Sequence, residues 1–67
     1  MIIEITNKRN KKNILGGTGL WFDVDEHTDG IFLNVFIDGV QVINKMKLKY
    51  LPRYTCDGNI IYFTEGE

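Results

Sequence analysis

Apolar and polar residues alternate with period two along most of this 67-residue chain. Such alternation is typical of strands that bury one face, and no stretch has the three-to-four-residue spacing of an amphipathic helix. The pattern predicts strands at 1–6, 20–26, 31–37, 40–50 and 59–64, a long loop at 7–19 and a turn at 51–58. We therefore expect an all-β fold and a single domain, residues 1–67.

The clearest hairpin is centred on the pair Asp38-Gly39. Both residue types tolerate positive φ, which the central positions of a two-residue hairpin turn require. With such a turn, the apolar residues of the two flanking strands lie on one face of the sheet. The register then predicts the cross-strand pairs Ile37–Val40, Val35–Val42 and Phe32–Lys45.

The strand before this hairpin fits the same sheet. If residues 27–30 form a turn, Glu26 lies opposite Ile31, and the apolar residues of both strands again share a face. The same register predicts the pairs Val24–Leu33, Phe22–Val35 and Leu20–Ile37. Strands 20–26, 31–37 and 40–50 therefore form a three-stranded meander.

The predicted order of elements is a strand, a long loop, the meander, a short turn and a final strand. An isolated meander exposes two edges, and a small barrel removes them by curling. The order resembles that of SH3-like barrels, although the acidic-aromatic first-loop signature of peptide-binding SH3 domains is absent. The resemblance implies a small five-stranded antiparallel barrel with SH3-like strand order. An OB-like barrel is the alternative, although OB folds normally carry a helix.

The meander register also predicts which side chains face away from the core. Large apolar side chains and charged side chains meet on that outer face: Trp21, Phe32, Phe36, Ile43, Asp23, Asp25 and Lys45. An apolar patch rimmed by charge is typical of a protein-binding surface, and Trp and Phe are enriched at interface cores. The alternative is that the first strand, the long loop or a second copy of the chain covers this face.

The eight basic residues form two groups. Four lie in the predicted long loop, Lys8, Arg9, Lys11 and Lys12, and four follow later, Lys45, Lys47, Lys49 and Arg53. If the loop lies near the lysine-bearing strand, both groups form one basic area beside aromatic rings, a combination that binds single-stranded nucleic acid. The net charge of −1 and the aspartates on the neighbouring strand disfavour that use. Lysines on an exposed strand also discourage edge pairing.

The stretch WFDVDEHTDG, residues 21–30, holds four carboxylates and the only histidine, His27. Asp23 and Asp25 share a strand face about 6–7 Å apart, a separation that suits two acid–base groups. Catalysis also needs a pocket that excludes water, and a barrel of this size has little volume for one. The spacing of these acids does not match an EF-hand calcium loop. We therefore expect no catalytic, metal or cofactor site.

The single cysteine, Cys56, cannot form an internal disulfide, which favours a reducing, cytoplasmic setting. The first residues lack the basic segment of a signal peptide, and no apolar run approaches the ~20 residues of a membrane span.

The sequence therefore predicts a non-enzymatic cytoplasmic protein that binds a larger host protein through the aromatic face. Small inhibitors encoded by bacteriophages, which occupy a surface of a larger bacterial protein, are the analogy, and a composition rich in Lys, Asn and Ile suits an AT-rich genome. The alternatives are a nucleic-acid-binding module that uses the two basic groups, and a structural subunit that forms homo-oligomers through the aromatic face.

Overall fold

The alternating pattern of the chain gives strands throughout the computed structural model, so the all-β class is confirmed. The seven strands are β1 (Ile2–Thr6), β2 (Lys12–Gly16), β3 (Leu20–His27), β4 (Gly30–Ile37), β5 (Val40–Leu48), β6 (Arg53–Tyr54) and β7 (Ile60–Thr64). They form a four-stranded sheet in the order β2-β1-β7-β6 and a three-stranded sheet in the order β3-β4-β5. The predicted meander of β3, β4 and β5 is confirmed.

The core lies between the two sheets. Alternate residues of the strands supply it, namely Ile3, Ile5, Leu20, Leu33, Val35, Leu48, Ile61 and Phe63. The ring of Phe22 on β3 meets that of Phe63 on β7 edge to face, with ring centroids 5.4 Å apart. Burial of this apolar surface is the main force that holds the sheets together.

The two sheets do not close into the five-stranded barrel that the strand order suggested. The predicted antiparallel pairing fails at the chain ends, because β1 and β7 run parallel, with Ile3 opposite Ile61 and Ile5 opposite Phe63. The SH3-like strand order is therefore not confirmed. The OB-like alternative is not confirmed either, because it is also a closed barrel. The difference arises because β1 pairs with two strands of its own sheet, β2 and β7, and with no strand of the meander.

The prediction of a loop over residues 7–19 is wrong for its middle part, where β2 pairs antiparallel with β1. The turn that joins them is stabilised by Asn7, whose Oδ1 accepts hydrogen bonds from the N–H of Arg9 (2.9 Å) and of Lys11 (3.0 Å). Asn10 takes the left-handed conformation that closes this turn, with φ of 62°. Because β2 is an edge strand with few buried residues, its sequence lacks a clear alternation.

The predicted turn at 51–58 also contains a short strand, β6, which pairs with β7. The turn after β6 is organised by Asp57, whose Oδ1 accepts hydrogen bonds from Thr55 Oγ1 (2.6 Å) and from the N–H of Asn59 (3.0 Å). Both bonds lower the pKa of Asp57 below its ordinary value, and the bond from Thr55 has the larger effect.

Backbone hydrogen bonds join the two sheets at one corner. The N–H of Lys49 donates to the carbonyl of Thr64 (2.9 Å), and the N–H of Gly66 donates to the carbonyl of Lys47 (2.8 Å). Gly66 is buried, and a Cβ at this position would lie 3.0 Å from backbone atoms of Leu48 and Lys49. The corner therefore favours glycine, because a Cβ there would require the two backbone segments to move apart by a few tenths of an ångström.

We expect Gly66→Ala to lower the free energy of unfolding by about 1–3 kcal/mol, because the atoms that its methyl group meets are backbone atoms that cannot move independently. The control is Gly16→Ala, whose Cβ has its nearest neighbour at 3.8 Å and which should change stability by less than about 0.5 kcal/mol. Urea denaturation followed by tryptophan fluorescence measures both variants. Equal losses in the two would contradict the role assigned to this corner.

Candidate protein-binding face

The outer face of the three-stranded sheet has the register between β3 and β4 that the sequence predicts. The cross-strand pairs on this face are Trp21–Phe36, Asp23–Asn34 and Asp25–Phe32. The residues between them, among them Leu33 and Val35, are buried in the core. Because neighbouring residues of a strand point to opposite faces, the aromatic rings and aspartates face away from the four-stranded sheet.

Trp21 and Phe36 form the centre of this face. Their rings are stacked, with centroids 4.3 Å apart and planes 8° from parallel. Aromatic pairs of this kind contribute about 0.5–1.5 kcal/mol beyond the area they bury. The stacking restrains the indole of Trp21, although 51% of this residue is exposed to solvent. The face therefore presents an aromatic side chain whose orientation is already set before any partner binds.

Phe32 is less available than Trp21. The centroid of its ring lies 5.9 Å from the centroid of the His27 ring, and its cross-strand partner in β5 is Lys47. Gly30 leaves space beneath them, since a Cβ there would lie 3.0 Å from Lys47 Cε and 3.4 Å from Phe32 Cζ. The aliphatic stem of Lys47 thus packs beside Phe32 over the glycine, and Lys47 joins the face although it is not among the seven contact residues predicted from the sequence.

An open depression of about 310 Å³ lies at the end of the face near Phe32. Its lining consists of Asp25, His27, Asp29, Phe32 and Lys45. Three of the seven residues predicted for the contact surface therefore meet there. No group of three or more His, Cys, Asp or Glu side chains is arranged to hold a metal ion. The depression instead offers carboxylates and an ammonium group for polar contacts beside an aromatic ring.

The register between β4 and β5 differs from the prediction, and Ile43 changes face as a result. The hairpin turn predicts Val35 opposite Val42, but Val35 lies opposite Ile43, and Phe32 lies opposite Lys47. Two bulges in β5 cause this shift, since each adds one residue that has no partner in β4. The first bulge turns Ile43 inward, where it packs against the core. The prediction that Ile43 belongs to the outer face is therefore wrong.

Asn34 stabilises the bulged part of β5. Its Oδ1 accepts hydrogen bonds from the N–H of Lys45 (2.9 Å) and from Nε2 of Gln41 (3.0 Å). Lys45 has a φ of 52°, a left-handed conformation that is unfavourable in a regular strand. A sequence signal for the bulge exists, because the polar pair Asn44-Lys45 interrupts the apolar alternation of β5.

The structure separates the basic residues into several areas. Lys8 and Lys49 line one depression with Glu65 and Glu67, and Lys12 and Arg53 line another with Glu4. Lys45 lies in the depression described above, beside two aspartates. The two basic groups of the nucleic-acid-binding alternative are therefore interleaved with carboxylates, which repel phosphates.

The outer face of the four-stranded sheet carries a second set of exposed side chains, which the alternation of the sequence did not predict. One row across β2, β1, β7 and β6 consists of Ile14, Glu4, Tyr62 and Arg53. An open depression of about 530 Å³ beside it is lined in part by Tyr50, Leu51 and Tyr54. The row could not be predicted because it requires β2 and β6, which have no alternation of their own.

Comparisons with known protein families, with curated proteins and with solved structures found no match to this chain. The chain contains no helix long and apolar enough to cross a membrane.

We expect Asn34→Ala to lower the free energy of unfolding by about 1–3 kcal/mol, because the N–H of Lys45 loses its acceptor. Asn34→Asp keeps an acceptor oxygen at the same place, and in about 0.5 M salt, which screens its charge from that of Asp23 on the neighbouring strand, it should retain most of the stability. Urea denaturation measures the loss, and the amide shift of Lys45 reports the hydrogen bond. An alanine variant as stable as the aspartate variant would show that this bond does not maintain the bulge.

Proposed function

We propose that this protein is a non-enzymatic binding domain that contacts a larger protein through the outer face of its three-stranded sheet. The observation that carries the proposal is the stacked pair of Trp21 and Phe36, with half of the indole exposed. Restrained aromatic side chains lose little conformational entropy on binding, and they dominate the energetics of many interfaces. Both β1 and β2, which the sequence allowed as a cover for this face, belong to the other sheet.

The charges around the aromatic pair support a directional contact. Asp23 and Asp25 lie along β3, and Lys45 and Lys47 lie across the sheet on β5. A partner with the opposite arrangement of charge is attracted in one orientation and repelled in the reverse one. We therefore propose that Trp21 enters an apolar pocket of the partner while the rim charges set the orientation.

We further propose a bacterial partner and a cytoplasmic setting, by analogy with the small inhibitors that bacteriophages encode. The support is compositional, since a chain rich in Lys, Asn and Ile suits an AT-rich genome. The only thiol, that of Cys56, is free and exposed, which fits a reducing compartment. An inhibitor of this class acts by occupying a surface, so it needs a rigid face and no catalytic group.

Two other functions compete with this proposal. A nucleic-acid-binding module would use the basic residues, although carboxylates stand among them. A structural subunit would use the same aromatic face to bind a second copy of the chain. Salt dependence distinguishes the first, because binding to phosphates weakens steeply with salt. Light scattering distinguishes the second, because it measures the mass of the free protein in solution.

We expect Trp21→Ala to weaken partner capture at least tenfold, because truncation of a central interface tryptophan typically costs about 2 kcal/mol or more. The matched control is Tyr54→Ala on β6, an aromatic residue that is 59% exposed on the other sheet. The measurement is pull-down from a bacterial lysate, with nuclease-treated and untreated samples compared, and circular dichroism confirms that both variants fold.

Capture that survives Trp21→Ala and fails with Tyr54→Ala would place the contact on the four-stranded sheet and contradict the proposal. Capture that requires nucleic acid and disappears in Lys45→Glu/Lys47→Glu would support the nucleic-acid-binding alternative instead. A stable dimer that Trp21→Ala dissociates would support self-association.

A further inference from the structure

The three-stranded sheet has a free edge at β3. This strand pairs with β4 on one side and has no strand on the other. The N–H of Asp38 donates to the carbonyl of Gly19 (3.0 Å), which extends the ladder between β3 and β4 by one pair. This bond shows that Gly19 and every second residue after it direct their N–H and C=O groups toward β4. Because backbone groups in an antiparallel pair point alternately toward and away from the partner strand, the open side presents the N–H and C=O of Leu20, Phe22, Val24 and Glu26.

The other strand edges of the molecule are less suited to pairing. The edge strand β6 has two residues, and β5 is interrupted by two bulges. The edge strand β2 has five residues and ends at a glycine pair, Gly16-Gly17. By contrast, β3 has eight residues and pairs with β4 without any register shift. Natural proteins protect such edges with short strands, bulges or charges, and of these β3 has only the charges.

The charges on β3 determine which strand the edge accepts. Trp21, Asp23 and Asp25 are exposed and occupy alternate positions of β3, so all three lie on the outer face. Antiparallel pairing of two copies through β3 would bring like charges together across the new pair, which is unfavourable. A strand with lysine or arginine at alternate positions would instead meet carboxylates, and one of its cations would lie near the indole.

We propose that β3 accepts an extended basic segment of the partner protein as a fourth strand of this sheet, with Lys or Arg at alternate positions facing Asp23, Asp25 and Trp21. This inference rests on the proposed function and names the chemistry of the partner. Main-chain hydrogen bonds to Phe22 and Val24 provide affinity, and the alternate side chains provide specificity, as in other cases of β-strand addition.

The direct probe is a capped seven-residue peptide of alternating lysine and valine. Amide hydrogen exchange of the full chain is followed by NMR with and without this peptide. We expect exchange at Phe22 and Val24 to slow at least tenfold at saturation, because only a paired strand protects these edge amides. Two control peptides are used: one with glutamate in place of lysine, and one with the same composition but contiguous lysines. Neither should protect the edge.

Two variants of one residue test the backbone contact. Val24→Pro removes an N–H that points to the open side, so it leaves the ladder with β4 intact. Val24→Ala loses a similar part of the packing but keeps the N–H. We expect the proline variant to bind the lysine–valine peptide at least tenfold more weakly than the alanine variant. If the proline variant does not fold, the charge-reversed variant Asp23→Lys/Asp25→Lys replaces it and should prefer the glutamate peptide.

Equal protection by the peptide with contiguous lysines would overturn the inference, since it would indicate charge attraction without strand pairing. A dimer through β3, detected by light scattering, would overturn it in favour of a second copy of the chain. If Val24→Pro still captures the partner while Trp21→Ala does not, the strand addition is wrong and the proposed function stands. If capture survives both changes, the proposed function fails as well.

Discussion

Strand β4 has to serve both faces of its sheet at once, and the rest of the molecule depends on its register. Leu33 and Val35 are fully buried between the sheets, whereas Phe32, Asn34 and Phe36 lie on the opposite face. A slip of one residue against β3 would move the core residues to the surface and the aromatic rings into the core. The same pairing therefore determines the packing of the sandwich and the composition of the candidate binding face.

The sequence was sufficient for the half of the fold in which local pattern and turn length agree. Both β3 and β4 alternate without interruption, and a short turn joins them, so every predicted pair between them is confirmed. The parallel pairing of β1 with β7 joins strands at opposite ends of the chain, and no local pattern encodes such a contact. The edge strands β2 and β6 also escaped prediction, because a strand that buries few side chains has little alternation to detect.

The candidate site was predictable to the same extent as its strands. Trp21, Phe36 and Asp25 were placed correctly because they depend only on the register between β3 and β4. Ile43 was misplaced because the bulges of β5 depend on hydrogen bonds of Asn34, a side chain eleven positions away from Lys45 along the chain. Side-chain acceptors of this kind compete with the regular ladder, and the alternation of apolar residues carries no information about them.

The aspartates of β3 have two consequences that act together. Edge strands are aggregation sites, and a chain with an unbulged edge of eight residues needs some protection against pairing with its own copies. Like-charge repulsion between the Asp23 and Asp25 side chains of two copies provides such protection. The same charges nonetheless leave the hydrogen-bonding groups of the edge open, whereas a bulge or a proline would have removed them. An edge that is protected only by charge keeps its N–H and C=O groups unpaired, so it discriminates between incoming strands by their charge. The exposed indole of Trp21 lies beside this edge, on the same face as the aspartates. This combination favours recognition of a basic strand over mere avoidance of aggregation.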